Sequence, residues 1–182
     1  MTLKTVRTAA LAVLAAALAF PLALPLSAAP EKRAVPGSRL ALTRTLLEAQ
    51  VRAAASRWDD ALKLASQVLA ETASSRSASQ LHRLEAVANE IAGTALLHTG
   101  PAAAALPYLQ KDVELARSMY DPERSPRLAQ ALVALGDCEL TLGHRDQARA
   151  LLERAKAIHA NHAALGPQYQ RPLQALAARL GT

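Results

Sequence analysis

The feature that most constrains this chain is the spacing of its apolar side chains, which recur at steps of three and four residues almost from residue 40 to the C-terminus. Ala148, Leu151, Leu152, Ala155 and Ile158 form one such set, and Leu84, Val87, Ala88, Ile91 and Ala95 another. Each set makes a single stripe on a helix. A sustained two-residue alternation rich in Val, Ile or aromatics is missing, and glycine and proline fall between the stripes. The pattern therefore predicts seven helices and no strand, at about 40–55, 58–73, 80–98, 102–119, 126–142, 145–161 and 172–180.

The breaks sort into two kinds. Ser56-Arg57, Thr99-Gly100-Pro101 and Gly143-His144 are short, so the helices they join must lie antiparallel as hairpins. The longer breaks hold Ser74–Ser79, Asp121-Pro122 with Pro126, and Gly166-Pro167 with Pro172, residues that end one helix and preset the next. A tandem array of helix pairs follows. Pro107 sits inside the expected fourth helix and predicts a kink or a late start there.

The N-terminal segment reads differently. Lys4 and Arg7 precede the apolar run Ala9–Phe20, no acidic residue occurs before Ala29, and Leu26-Ser27-Ala28 ends in a small residue. This is the build of a secretory signal over residues 1–28. The run is shorter than the roughly 20 residues a spanning helix needs. An uncleaved anchor is the alternative, because Pro21 and Pro25 weaken a membrane helix without forbidding one. No cysteine near residue 27 could carry a lipid. Residues 29–39 are expected to be a flexible leader and residues 40–182 one helical repeat domain, exported to the periplasm or secreted.

Composition narrows the partners. The formal charge of +6 falls by two when Lys4 and Arg7 are removed, and what is left is scattered. That is a solvated surface and not a polyanion-binding stripe. Trp58, Tyr108, Tyr120 and Tyr169 are too dispersed for a base-stacking platform, so nucleic acid is not expected. Cys138 is the one cysteine and falls on an apolar stripe with Ala131, Leu135 and Leu142, which makes it a small core residue rather than a disulfide partner.

Within the array, the segment Leu132, Leu135-Gly136, Gly143, Ala148, Leu152, Ala155 resembles the small-and-large pattern of tetratricopeptide repeats. Small residues let paired helices approach, and large ones fill the space between them. Ser56, Trp58, Ala61, Ala65, Val68 and Gly93, Gly100, Ala105, Leu109 repeat it less completely. Ser56, Gly100 and Gly143 are 44 and 43 residues apart, longer than the roughly 34-residue standard unit. This spacing, with the linkers Tyr120-Asp121-Pro122 and Leu165-Gly166-Pro167, resembles the long repeats of kinesin light chains.

The resemblance implies a fold and a surface. The fold is an all-α, right-handed α-α superhelix of about three hairpins closed by a C-terminal capping helix. The surface is a concave groove that takes a peptide or a partner helix. The family's groove positions fall on Glu90, Thr94 and His98 of one helix and Gln130, Asp137 and Thr141 of the next, each set at helical spacing.

No nucleophile elbow, phosphate loop or metal motif is present, so no catalytic, cofactor or metal site is expected. His159 and His162 lack a third ligand in register, His144 reads as a turn residue, and Trp58 as core. The expected function is a non-enzymatic protein- or peptide-binding scaffold of the bacterial envelope. A membrane-tethered subunit of an envelope or secretion assembly is the alternative if the leader is kept.

Overall fold

The computed structural model describes residues 38–74, 78–121, 124–162 and 166–182. The expected signal segment and nearly all of the leader lie outside the described residues. Seven helices run through the rest: α1 Arg39–Ala54, α2 Trp58–Ser74, α3 Ala78–Thr99, α4 Ala102–Met119, α5 Pro126–Thr141, α6 Arg145–Ala160 and α7 Pro167–Leu180. No strand occurs among the described residues, and the fold is the expected all-α repeat solenoid.

The helix ends have identifiable chemical causes. Ser38 and Ser125 cap α1 and α5, their hydroxyls accepting from the backbone N–H of Ala41 and Leu128 at 3.2 Å each. Pro126 and Pro167 occupy first-turn positions, where a missing N–H costs nothing. At the other ends, α1, α5 and α7 stop with one shared geometry. Ser56, Gly143 and Gly181 have φ of 57°, 87° and 74°. The N–H that follows each bonds back to a carbonyl five residues earlier: Arg57 to Arg52, His144 to Glu139 and Thr182 to Ala177. This left-handed closure satisfies carbonyls the helix leaves open. Gly100 differs, because its N–H bonds to Leu96 and the chain then enters Pro101 without a left-handed residue.

Each helix packs on its sequence neighbours, and α1, α3, α5 and α7 also touch in succession. These leading helices form one row, and α2, α4 and α6 pack behind it. Two buried clusters fill the array. One joins α1 and α2 to α3 through Leu42, Leu46, Ala65, Val68, Ala88 and Ile91. The other runs through α4–α7, with Leu109, Leu128, Leu132, Leu152 and Leu176 fully buried.

Small residues sit where the helices come closest. A Cβ on Gly93 would stand 2.6 Å from Leu109 Cγ, and one on Gly136 would stand 2.8 Å from Leu176 Cδ2. The two glycines are 43 residues apart, and Ala49, 44 before Gly93, is fully buried at the same place in the first repeat.

Three expectations need correction. The last helix starts at Pro167, not near 172, and Pro172 is the sixth residue of a continuous α7. Pro107 is likewise the sixth residue of α4, which starts on time at Ala102. Each proline leaves a single carbonyl, of Ala103 or Gln168, without its helical donor, and both prolines are exposed, so the ring faces solvent and not packed neighbours. Trp58 is only half-buried. Its ring stacks on His98 with centroids 4.0 Å apart and planes 8° apart.

Candidate functional site

The row of leading helices presents a groove built from α3, α5 and α7. A pocket of about 360 Å³ opens there, floored by Leu97, Val133 and Leu176 and rimmed by polar side chains. Glu90, Thr94 and His98 reach it from α3, and Gln130 and Asp137 from α5. Thr141 stands outside the lining, one turn beyond Asp137. The geometry comes from period: 90, 94 and 98 are one turn apart on α3, as are 137 and 141 on α5, so each set projects from one side of its helix.

The sequence reading missed what α7 contributes. Pro172, Ala175, Leu176 and Arg179 form the third wall. The Arg179 guanidinium donates to the Asp137 carboxylate and, at 3.3 Å, to the Thr141 hydroxyl. Leu176 is buried against Gly136, and Arg145 Nη2 donates to the Leu180 carbonyl at 2.8 Å. The capping helix is thus also a groove wall, held by an apolar anchor and by charged contacts at its C-terminal end. Placing its start at Pro172 would have left Tyr169 outside the helix.

A second cavity of about 500 Å³ lies toward the N-terminal ends of α3 and α5, bordered by Arg83, Tyr120, Arg124, Arg127 and Tyr169. Arg83 stands 5.9 Å from the centre of the Tyr120 ring, a cation–π contact. Arg83 and Val87 continue the stripe of Glu90, Thr94 and His98 one and two turns back. This face of α3 therefore changes from basic at its start, where Tyr120 at the end of α4 borders it, to acidic and polar further on.

Between the two cavities sits a buried ionic cluster that periodicity did not reveal. Arg127 donates to Asp112 at 2.5 Å and lies 3.3 Å from Glu90, joining α5 to α4 and α3. Asp112 is fully buried, whereas Glu90 and Arg127 are each 19% exposed. Burial pushes the Asp112 carboxyl up to about 7, Arg127 opposes that rise, and Glu90 adds to it. Burial also works against charge on Arg127, but the two carboxylates outweigh it and hold the guanidinium more firmly charged than usual. Asp112 Oδ2 and Arg127 Nη1 have no hydrogen-bond partner. Two carboxylates share one guanidinium here, and one of them reaches the groove. Glu90 is therefore a tied groove residue and not a free one.

Cys138 is fully buried, 3.4 Å from the Ala102 carbonyl, and burial raises its thiol to about 11. His144 stands in the turn before α6, at its N-cap position but without a side-chain capping bond, and its Nδ1 lies 2.7 Å from Glu139 Oε2. Burial and the neighbouring His162 hold His159 below its ordinary value. His162 Nε2 lies 2.7 Å from the Arg124 carbonyl. Among the described residues no three His, Cys, Asp or Glu side chains converge as metal ligands, and no helix is long and apolar enough to cross a membrane.

Comparison with known families matches residues 83–161, the span of α3 to α6, to the model described as Tetratricopeptide repeat. A comparison with curated proteins gave no match.

Proposed function

We propose, from the premise that residues 83–161 match a tetratricopeptide repeat within an all-α solenoid, that this chain is a binding scaffold which holds a peptide or protein segment in the groove of α3, α5 and α7. Tetratricopeptide repeats generally mediate protein–protein interaction. The observation that carries the reading is the pocket itself. Five residues expected on the groove, Glu90, Thr94, His98, Gln130 and Asp137, border a single apolar-floored depression. An apolar floor takes an anchoring side chain, and a polar rim fixes its orientation.

The finer reading is a long-repeat protein similar in spacing to kinesin light chains, exported by residues 1–28 and acting in the bacterial envelope. The 44- and 43-residue spacing supports the first part, and the Lys4, Arg7 and Ala9–Phe20 pattern supports the second. The chemistry of the groove supports binding over catalysis. Glu90 and Asp137 are each neutralised by an arginine, and the titratable groups in the groove are not arranged as a nucleophile with its base.

Photo-crosslinking tests the groove. A crosslinker at Thr94 or Gln130 should trap a partner that one at the exposed Glu153, on the trailing helix α6, does not. With the crosslinker at Thr94, Gln130→Arg should abolish the adduct, and with it at Gln130, Thr94→Arg should do the same, helicity being unchanged. Equal trapping at all three positions, or adducts that survive the arginine substitutions, would remove the groove assignment.

A further inference from the structure

Three buried side-chain polar atoms lack a hydrogen-bond partner among the described residues, and two of them, Asp112 Oδ2 and Arg127 Nη1, belong to one ion pair. That pair is joined only by Arg127 Nη2 donating to Asp112 Oδ1 at 2.5 Å. A guanidinium and a carboxylate commonly close such a contact with two parallel bonds. Here half of the fork is open. Nη2 also lies 3.3 Å from Glu90 Oε2 and 3.5 Å from the Ala86 carbonyl. These contacts from α3 hold the guanidinium off the two-bond position, so Arg127 can neutralise Glu90 or satisfy Asp112 but not both.

The cluster is therefore short of one cation. Asp112 is wholly buried, where an uncompensated charge is costly. The charges acting on it are Arg127 from α5 and Glu90 from α3, while Lys111 on its own helix pairs with Glu114 and Tyr120 at the end of α4 bears on Arg127. Arg179, the cation that lines the groove, is taken by Asp137, and Arg83 lies over the Tyr120 ring. A proton on Asp112 meets the shortfall. A cation brought to Glu90 meets it equally, and Glu90 is the member of the cluster that lines the groove. Only its Oε2 is engaged among the described residues.

On the reading that the groove is the binding surface, we propose that the segment it holds carries a lysine or arginine, which pairs with Glu90 while a neighbouring apolar side chain rests on Leu97, Val133 and Leu176. The incoming cation takes Glu90 from Arg127, and the freed guanidinium donates its second bond from Nη1 to Asp112 Oδ2. Both orphaned atoms are satisfied together, which a neutral or acidic side chain at Glu90 does not achieve. Burial holds the Asp112 carboxyl at about 7, so closing the fork also expels its proton. Affinity therefore rises from about pH 6 to about pH 8.

Random dodecapeptides displayed on phage and selected on the immobilised full chain at about pH 8 test this. Retained peptides should share a Lys or Arg close to a bulky apolar residue. One of them, synthesised with a fluorescent label, should bind Glu90→Gln at least about ten-fold more weakly, and wild type equally weakly once its basic residue is replaced by glutamine. The second change leaves the protein untouched, so it decides the matter should Glu90→Gln lose helicity. Affinity should fall toward about pH 6, a fall that Asp112→Asn removes and His98→Gln leaves in place. A level affinity across that range would overturn the closing of the fork. Peptides displaced by Thr94→Arg but indifferent to Glu90→Gln would keep the groove and overturn the pairing. Acidic peptides displaced by Arg83→Gln with Arg124→Gln would overturn it too, placing the ligand in the second cavity. No retained peptide, or retention indifferent to Thr94→Arg, would overturn both the pairing and the groove.

Discussion

Ser56 is the one non-glycine residue with positive φ among the described residues, and it stands where Gly143 stands one whole repeat pair later. A left-handed residue with a side chain costs about 1 kcal/mol relative to glycine. Ser56→Gly should accordingly stabilise the chain by about 1 kcal/mol, and Gly143→Ala should destabilise it by a similar amount, both read from urea midpoints. Asp112 gives a second prediction. Its carboxyl titrates near 7 in the folded chain against about 3.9 when unfolded, so the folded state binds the extra proton between those values. Stability from this group is complete below about pH 4, falls as pH rises toward 7, and is level above, a change of up to about 4 kcal/mol. Asp112→Asn should flatten that slope. A wild-type midpoint that rises across the same window would mean that Arg127 outweighs burial, reversing the sign.

The elements show why some of this was legible and some was not. Helices α1 to α6 were readable because each carries an apolar stripe, and several are bounded by serine, glycine or proline with a local chemical role, as Ser38, Ser125, Pro126 and Gly143 show. Only α7 was truncated, since a proline rule applied at Pro172 competed with an equally good start at Pro167, and sequence alone does not rank two permitted first-turn prolines. The groove set on α3 and α5 follows from the resemblance's groove positions, and helical period explains why each set shares one face of its helix. Periodicity is silent on charge partners distant in the chain, so neither the Arg127, Asp112 and Glu90 cluster nor the reach of Arg179 to Asp137 could be foreseen. Trp58 reads as core because the resembled family keeps an aromatic where a hairpin's second helix begins, but this first-turn position leaves its ring at the edge, against His98. The close approach of α3 and α4 is open to test at Gly93. An added methyl would meet Leu109 at its branching carbon, and Leu109 is fully buried and has little room to give. Gly93→Ala gains about 1 kcal/mol in helix propensity but should lose more to overpacking, for a net destabilisation of about 1 to 2 kcal/mol. An unchanged or raised thermal midpoint would show that the seam is looser than the geometry implies.

Across the whole array, stability should be distributed rather than uniform, because the buried residues form two clusters that come together along α3. In a linear repeat, each hairpin is held by its own packing and by the face it shares with its neighbours. Among the described helices the first hairpin packs only on α3, with Leu40, Leu47 and Val51 exposed, whereas α5 packs on α3, α4, α6 and α7. The ionic cluster of Arg127, Asp112 and Glu90 ties α3, α4 and α5 but does not reach α1 or α2. Leu46 is 4% exposed within the first cluster, and Leu132 is fully buried within the second. Truncating either to alanine should cost about 2 to 5 kcal/mol at its own site, but the consequences should differ in extent. Leu46→Ala should lower amide-exchange protection in α1, α2 and the first half of α3 while leaving α5 and α6 close to wild type, since those helices keep all their contacts when the first hairpin opens. Leu132→Ala removes the centre of the larger cluster and should lower protection throughout. Equal loss of protection in α5 and α6 for both variants would mean that the array opens as one cooperative unit, with α3 transmitting the first hairpin's packing undiminished to the last.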